Sequence, residues 1–266
     1  MPPAHVVAAI DHDQLADVTK AIKSILGDKA VSSELGPAFE KYNETQFTTT
    51  KLPGGATEVL VSEYNKLAEG RYYDVETQSS FDFDHESGKA SAVQRHVVES
   101  AHADLIKSVV DALGAHTSEH YPSSSHGVYP TSSDSALALV TVANKYSPTN
   151  YWNGRWRSSY LYTPSTGTLT GSIDVDVHYY EDGNVRLLTN KTVNATVGSS
   201  ASAAEIVRKM AGEEKKFQEE LNKAFGSLNE GAFKALRRQL PITRQKIEWE
   251  KISGYRLGQD IGGGRR

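Results

Sequence analysis

Three histidines stand at a spacing that could hold a metal ion. His116 and His120 are four residues apart, which would place both imidazoles on one face of a helix, and His126 follows shortly after. The chain has no cysteine, and no carboxylate stands in register with these histidines. A metal site is therefore the less favoured interpretation, and we expect no bound metal and no cofactor.

A second set of polar residues has the composition of an acid–base pair. Asp174, Asp176 and His178 alternate with apolar residues along one stretch of chain. Alternating polar side chains are what the solvent face of an antiparallel strand requires, so the structural interpretation is favoured. The chain contains no G-x-G-x-x-G, no Walker phosphate loop, no G-x-S-x-G and no H-E-x-x-H. We expect no catalytic residue; an enzyme stays as a rival hypothesis that a deep pocket around these side chains would support.

The stretch Tyr151-Trp-Asn-Gly-Arg-Trp-Arg places two tryptophans and two arginines around an Asn-Gly pair. Aromatic and basic residues together could stack and neutralise a nucleic acid, but the surrounding chain is acidic and repels phosphate. We predict instead a structural corner with a turn at Asn-Gly and an arginine stacked on a tryptophan.

The C-terminal end of the chain is basic. Residues 234–266 contain nine Lys or Arg and three Asp or Glu, a net charge of +6, so with −4 for the whole chain the preceding 233 residues carry −10. Such segregation is typical of a segment that meets an acidic partner. Apolar residues run through the same segment, which favours a docking element for a protein or a membrane surface; a last core helix with a charged outer face is the alternative. These apolar residues are Leu236, Leu240, Ile242, Ile247, Trp249, Ile252, Tyr255 and Leu257.

Composition sets limits on class and compartment. The chain is 38% apolar and 23% charged, as in an ordinary globular protein with a sizeable core. It has no apolar run long enough to span a membrane, and its first residues lack the features of a signal peptide. Together with the absence of cysteine, these features predict a soluble intracellular chain.

Residues 1–118 are predicted to form a helical layer with short strands. Three segments show apolar residues at helical spacing, so each must bury one face. Between them, residues 50–88 turn extended, with strands around 58–64 and 81–85. The three apolar stripes are Leu15, Val18, Ile22, Ile25 and Leu26; Leu35, Phe39 and Tyr42; and Val98, Ala101, Leu105, Val109, Ala112 and Leu113.

Residues 119–200 are predicted to form an antiparallel sheet. Turn residues are frequent in 120–134, which marks a boundary. Strands follow at 136–143, 155–163, 169–180 and 185–193, with a tight hairpin turn at 181–184, and they form a meander of about four strands with one apolar face.

Residues 201–240 show a helical period again and are predicted to form a long helix over the sheet. Its apolar stripe is the natural cover for the apolar face of the meander. Pro241 should bend the chain, and residues 241–266 form the basic amphipathic extension. The fold class is thus α+β, with the element order helical layer, meander sheet, long helix and extension.

Three stretches carry a resemblance to a known family. They are residues 151–159, residues 177–185 and, above all, Phe233-Lys-Ala-Leu-Arg-Arg-Gln-Leu-Pro-Ile-Thr-Arg-Gln-Lys-Ile-Glu-Trp. The chain resembles the alpha subunit of F-actin capping protein, a heterodimer that blocks filament barbed ends. The likeness extends to residues 38–47 and 81–85 and so covers essentially the whole chain.

The resemblance implies an antiparallel layer of three N-terminal helices, a central sheet continued across a beta subunit of the same topology, a long helix over that sheet, and a mobile amphipathic tail. It implies an obligate heterodimer on the cytoplasmic actin cytoskeleton, without enzymatic activity. It assigns phosphoinositide binding to Lys234 and Arg238. The implied actin-binding residues are Lys234, Arg237, Arg238, Arg244, Trp249, Ile252, Tyr255 and Leu257.

Overall fold

A computed structural model describes residues 20, 24, 35–68, 70–121, 123–180 and 185–230. This part of the chain separates into two units, one up to Met210 and one from Ala211 onward. The apolar stripe of the first predicted helix, Leu15, Val18, Ile22, Ile25 and Leu26, lies outside the described residues, so the three-helix layer stays a prediction. The same holds for the extension at 241–266.

The second and third predicted helices are present, and six strands lie between them. The second helix starts at a favourable proline: Pro37 occupies its first turn, where no backbone N–H is needed. The bounds are α1 Gly36–Gln46, β1 Thr48–Lys51, β2 Glu58–Val61, β3 Lys66–Ala68, β4 Arg71–Asp74, β5 Ser79–Asp84, β6 Lys89–Arg95 and α2 Ala103–His120. Strands β1 and β2 form a hairpin, and β3 to β6 form an antiparallel sheet in chain order.

The central sheet is a five-stranded antiparallel meander, one strand larger than predicted. Its order is β11-β10-β9-β8-β7, so each strand pairs with its neighbours in the chain. The bounds are β7 Ser124–Pro130, β8 Leu137–Ser147, β9 Trp152–Thr163, β10 Thr168–Tyr179 and β11 Val185–Thr196.

The extra strand, β7, forms from the stretch that its turn residues marked as a boundary. Serine, glycine and proline are poor strand formers, but tertiary packing overrides that preference here. Val128 and Tyr129 are fully buried. Gly127 is required because any side chain there would overlap the Tyr129 ring. Part of the turn-rich stretch 120–134 is therefore strand β7, and the change from helix to strands falls between α2 and β7; the domain limit predicted near residue 119 stays a prediction.

The two faces of the central sheet are covered by different elements. Tyr129, Val140 and Val142 point to one face and form a core with Leu60 of β2 and Tyr73 of β4. His126 has the opposite parity on β7, and its ring lies 3.3 Å from the Thr117 hydroxyl of α2. The first face thus packs on the N-terminal strands and the second on α2, so the apolar residues of β7 and β8 are buried from both sides.

The long helix is confirmed as α3, Ala203–Glu230. It begins at a capping box, because the Ser202 backbone N–H donates to the Glu205 carboxylate at 2.8 Å and the Glu205 backbone N–H donates to Ser202 Oγ at 3.4 Å. In the first unit Ile206, Val207 and Met210 are buried. In the second unit Lys216 pairs with Glu213 across the exposed side of the helix. The predicted continuation to residue 240 lies outside the described residues, and cover of the sheet by the whole helix stays a prediction.

Candidate functional site

The outer edge of the central sheet is formed by β11. In the part of the chain that the structure describes, β11 pairs with β10 along twelve residues and with no other strand. At about 3.3 Å per residue the open edge is roughly 40 Å long. Backbone N–H and C=O groups along such an edge are free to pair with a strand of another chain.

One face of β11 is also uncovered. On this face alternate residues from Arg186 to Thr196 are exposed, whereas Val193 and Ala195 on the other face are buried. Leu188 on this face is a large apolar side chain that is 65% exposed. A long open edge beside an exposed leucine is the arrangement expected for addition of a partner strand.

The polar residues of β10 form a cross-strand ion pair with β11. The Arg186 guanidinium donates from Nε to Asp176 Oδ1 at 3.0 Å and from an Nη atom to Oδ2 at 2.7 Å. The His178 ring lies 5.5 Å from the ring of Tyr180. A bidentate pair of this kind fixes the carboxylate as an acceptor and orients the two strands.

A cleft lies beside these residues and has a volume of about 190 Å³. Ligand pockets usually enclose about 300–1,000 Å³, so this cleft is small for a substrate site. Its lining comes from β1, β8, β9 and β10 and includes Asn153, Arg155, Asp176 and His178. Asp174 does not line it. The deep pocket that an enzyme hypothesis requires at Asp174, Asp176 and His178 is not formed by the described residues.

The predicted corner at 151–157 is wrong. Asn153 and Gly154 lie inside β9, where they pair with Tyr146 and Lys145 of β8, and the chain turns earlier, at 148–151. Gly154 leaves room for the Trp152 ring, which lies 3.1 Å from the position of a Cβ atom. The cation over Trp152 is Lys145, with Nζ 5.9 Å from the ring centre, instead of an arginine.

The two arginines of β9 bind helix α1. Gln46 Oε1 accepts hydrogen bonds from Arg155 at 3.0 Å and from Arg157. Burial, followed by the charge of Arg155, lowers the pKa of Arg157. No local pattern reveals this contact, because more than a hundred residues separate the partners in the chain.

The three histidines do not converge. The rings of His116 and His120 stack at 4.6 Å on α2, whereas His126 contacts Thr117 from β7. Within the described ranges no group of three or more His, Cys, Asp or Glu side chains is arranged to hold a metal ion. Nor is any described helix long and apolar enough to cross a membrane.

The predicted actin-binding residues lie outside the described residues. The sequence predictions for them are therefore untested, and the β11 edge is the candidate site that the structure adds. These residues are Lys234, Arg237, Arg238, Arg244, Trp249, Ile252, Tyr255 and Leu257.

Comparison with known proteins gives a consistent result. The family model described as "F-actin capping protein alpha subunit" matches residues 4–260. The F-actin-capping protein subunit alpha of Chaetomium thermophilum is 62% identical over 94% of this chain and 91% of its own length. The corresponding protein of Candida glabrata is 35% identical over 95% of this chain and 93% of its own length.

A solved structure shows the same fold at low sequence identity. The homodimeric actin capping protein alpha subunit from Plasmodium berghei aligns with a TM-score of 0.70 and 17% identity, over 91% of this chain and 96% of that chain. The mixed α+β fold with antiparallel sheets is therefore that of a capping protein alpha subunit. On the family match and the identities of its relatives, this chain belongs to the F-actin capping protein alpha subunit family.

Proposed function

We propose that this chain is the alpha subunit of a heterodimer that caps the barbed ends of actin filaments in the cytoplasm. It blocks addition and loss of actin subunits there, without severing the filament and without catalysis. The observation that carries the proposal is the family match over residues 4–260, which includes the whole basic segment up to residue 260. Relatives of 56–62% identity are named as F-actin-capping protein subunit alpha.

The partner proposed for the β11 edge is the beta subunit. An open edge of twelve residues and the exposed Leu188 support strand pairing there. Strand pairing would remove the aggregation hazard of an edge strand, so the chain should be poorly soluble without its partner. The Plasmodium berghei protein, described as homodimeric, makes a second copy of this chain the alternative occupant of the same edge.

The contact with actin is assigned to the basic C-terminal arm, residues 234–257. A nanomolar complex needs about 12 kcal/mol, whereas an exposed ion pair contributes roughly 0.2–1 kcal/mol. Lys234, Arg238 and Arg244 cannot supply that energy alone. Burial of the arm's apolar side chains adds about 1.5–3 kcal/mol each before ordering costs. Charge should therefore raise the association rate, and Trp249 and Ile252 should slow release.

A second arm, on the partner subunit, would supply the binding free energy that the alpha arm alone lacks. Once one arm is bound, the second binds at a high effective concentration, so avidity exceeds either single affinity. The heterodimer is thus part of the proposed mechanism as well as of the fold. This reasoning predicts that the isolated alpha chain caps far more weakly than the assembled protein.

Seeded barbed-end elongation tests the arm. The triple variant K234A/R238A/R244A should slow the onset of capping most at low ionic strength, because screening already weakens steering at high salt. The matched control is K89A/R95A/K107A, which removes three exposed cations from the described body. Equal capping by both variants at low salt would remove these arm cations from the mechanism.

Co-purification tests the edge. Leu188→Glu should reduce recovery of the beta subunit because it places a charge beside the open edge. Val97→Glu, at a position that is 52% exposed and outside the sheet, is the control. Mass measurement by light scattering separates the heterodimer from a homodimer and from a monomer. A well-behaved monomer of the alpha chain would contradict an obligate partner.

Anionic lipid is a second candidate ligand, favoured by the cations and apolar residues of the same arm. Lys234 and Arg238 are the proposed phosphoinositide contacts. Co-sedimentation with phosphoinositide vesicles in the presence of excess barbed ends separates the two activities. If the arm is shared, filaments should release the vesicles; simultaneous binding would assign the lipid to another surface.

A further inference from the structure

A buried hydrogen-bond network joins helix α1 to the turn that follows β5. Asn43 is fully buried, and its Nδ2 donates to the His85 carbonyl oxygen at 3.0 Å and lies 3.3 Å from His85 Nδ1. Its Oδ1 accepts from the Thr48 hydroxyl at 2.9 Å. The His85 carbonyl oxygen can only accept, so it fixes the orientation of the amide, and Nδ2 presents its second N–H to the imidazole.

The Nε2 side of the imidazole contacts Tyr72, whose hydroxyl proton is already used in a hydrogen bond to Glu44. The Tyr72 hydroxyl donates to Glu44 Oε1 at 2.8 Å and lies 3.1 Å from His85 Nε2. A hydroxyl has one proton, so Tyr72 must accept from Nε2–H. Nδ1 is then the lone pair that accepts from Asn43. The neutral tautomer with its proton on Nε2 satisfies every one of these contacts. A proton on Nδ1 would place that N–H donor opposite the N–H donor of Asn43.

Charged groups around the imidazole act on its pKa in both directions. Glu40 and Glu44 of α1 and Asp84 of β5 favour the charged form, whereas Lys66 of β3 opposes it. Lys66 Nζ binds Glu40 at 2.7 Å and Glu44 at 3.0 Å, which offsets much of their field. Burial is the largest influence and lowers the pKa of His85. Folding therefore favours the neutral ring that the network requires.

We propose that His85 is a pH-sensitive latch, which holds α1 on β4 and β5 when the ring is neutral and releases it when Nδ1 takes up a proton. Glu40 and Glu44 also accept contacts in this network, but unperturbed carboxylates take up a proton at about pH 4.3, well below the range in which an imidazole titrates. Because the neighbouring Gln46 binds Arg155 and Arg157, release of α1 also loosens a contact with the central sheet.

The sign of the effect follows from the direction of the shift. A histidine that is harder to protonate in the closed state than in the open state stabilises closure above the unperturbed pKa of about 6.5, and this stability is lost as the pH falls below that value. One proton is involved, so protection of α1 should fall by up to about tenfold per pH unit.

Amide hydrogen exchange of the full chain, co-purified with its partner subunit and corrected for the intrinsic pH dependence of exchange, measures this protection. Between about pH 7.5 and 5.5 the α1 amides should lose protection relative to those of β8. His85→Gln keeps a donor toward Tyr72 but cannot be protonated, so its α1 protection should be flat over this range. His126→Gln removes another histidine whose pKa is lowered by burial, and it should keep the acid-dependent loss.

Two results would overturn the latch. One is an acid-dependent loss of α1 protection in His85→Gln equal to that of the unmodified chain. The other is an Nδ1–H tautomer of neutral His85 in long-range ¹H–¹⁵N spectra of the unmodified chain. The spectra decide the matter even if His85→Gln does not fold, because the tautomer is the basis of the proposal.

Discussion

Asn65 is the side chain on which the N-terminal strands depend most. It is fully buried between the end of β2 and the start of β3. Its Oδ1 accepts from the Ser62 backbone N–H at 2.9 Å and from the Ser62 hydroxyl at 2.8 Å. Its Nδ2 donates to the carbonyl oxygens of Leu60 and Tyr73, each at 2.8 Å. One amide thus joins β2, a tight turn and β4.

Replacement of Asn65 by alanine removes four hydrogen bonds and leaves buried backbone groups without partners. A typical hydrogen bond contributes a net 0.5–1.5 kcal/mol, and an orphaned buried group costs about 1–3 kcal/mol. The lost hydrogen bonds and the orphaned groups describe partly the same loss, so the two contributions do not simply add. We expect the free energy of unfolding to fall by about 3–5 kcal/mol. Leu60 and Tyr73 belong to the core on the central sheet, so the damage should spread beyond the turn.

Chemical denaturation of the purified protein measures this loss. Asn150→Ala is the control, because Asn150 is exposed and makes one side-chain hydrogen bond, to Ser147. Its effect should stay below about 1 kcal/mol. Asn65→Asp keeps the acceptors but sets a carboxylate against two carbonyl oxygens. The pKa of the introduced carboxyl group should rise in the folded state. The loss in free energy of unfolding caused by Asn65→Asp should therefore become smaller as the pH falls through that raised pKa. A loss for Asn65→Ala no larger than that of the control would refute the reasoning.

Three further outcomes can be checked by thermal or chemical unfolding. Gly171→Ala should destabilise the fold by more than about 2 kcal/mol, because its Cβ would overlap the backbone of β9, and an unchanged melting temperature would contradict the packing. Asp176→Asn should cost less than about 1 kcal/mol, because its pair with Arg186 is partly solvent-exposed; a larger loss would mean that the pair orders the β11 edge. Stability should fall as the pH drops below about 6.5, because burial lowers the pKa of both His85 and His126; a flat profile in the double variant with glutamine at both positions would confirm the source.

Elements with strong periodicity could be predicted from the sequence. The alternation of 169–180 gave β10 nearly to the residue, and the helical stripe from Ala203 gave α3. In both segments one face is apolar over many residues, so burial and local preference agree. Phe81 and Phe83 are likewise buried on either side of the less buried Asp82, as the two-residue period at 81–85 requires.

Elements whose local chemistry opposes their packing could not be predicted. Asn153-Gly154 has the preferred residues of a tight turn, but β8 and β10 flank it and hold it in the ladder. The glycine is explained by the Trp152 ring instead of by turn geometry. For the site the limit is different: the basic arm is evident from charge, whereas the β11 edge is defined only by which strands pair.

Helix α1 connects the four-stranded sheet to the central sheet through three side chains near its C-terminal end. Asn43 and Glu44 reach His85 and Tyr72 on the N-terminal strands, and Gln46 reaches β9. Because these residues lie within one turn, displacement of the helix must disturb both sets of contacts. Strand β9 is next to β10, which carries the open edge strand β11. Because packed elements lead from His85 through α1 and β9 toward β11, we predict that partner binding weakens as the pH falls below about 6.5 and that His85→Gln removes this dependence. An equal dependence in both proteins would contradict the coupling.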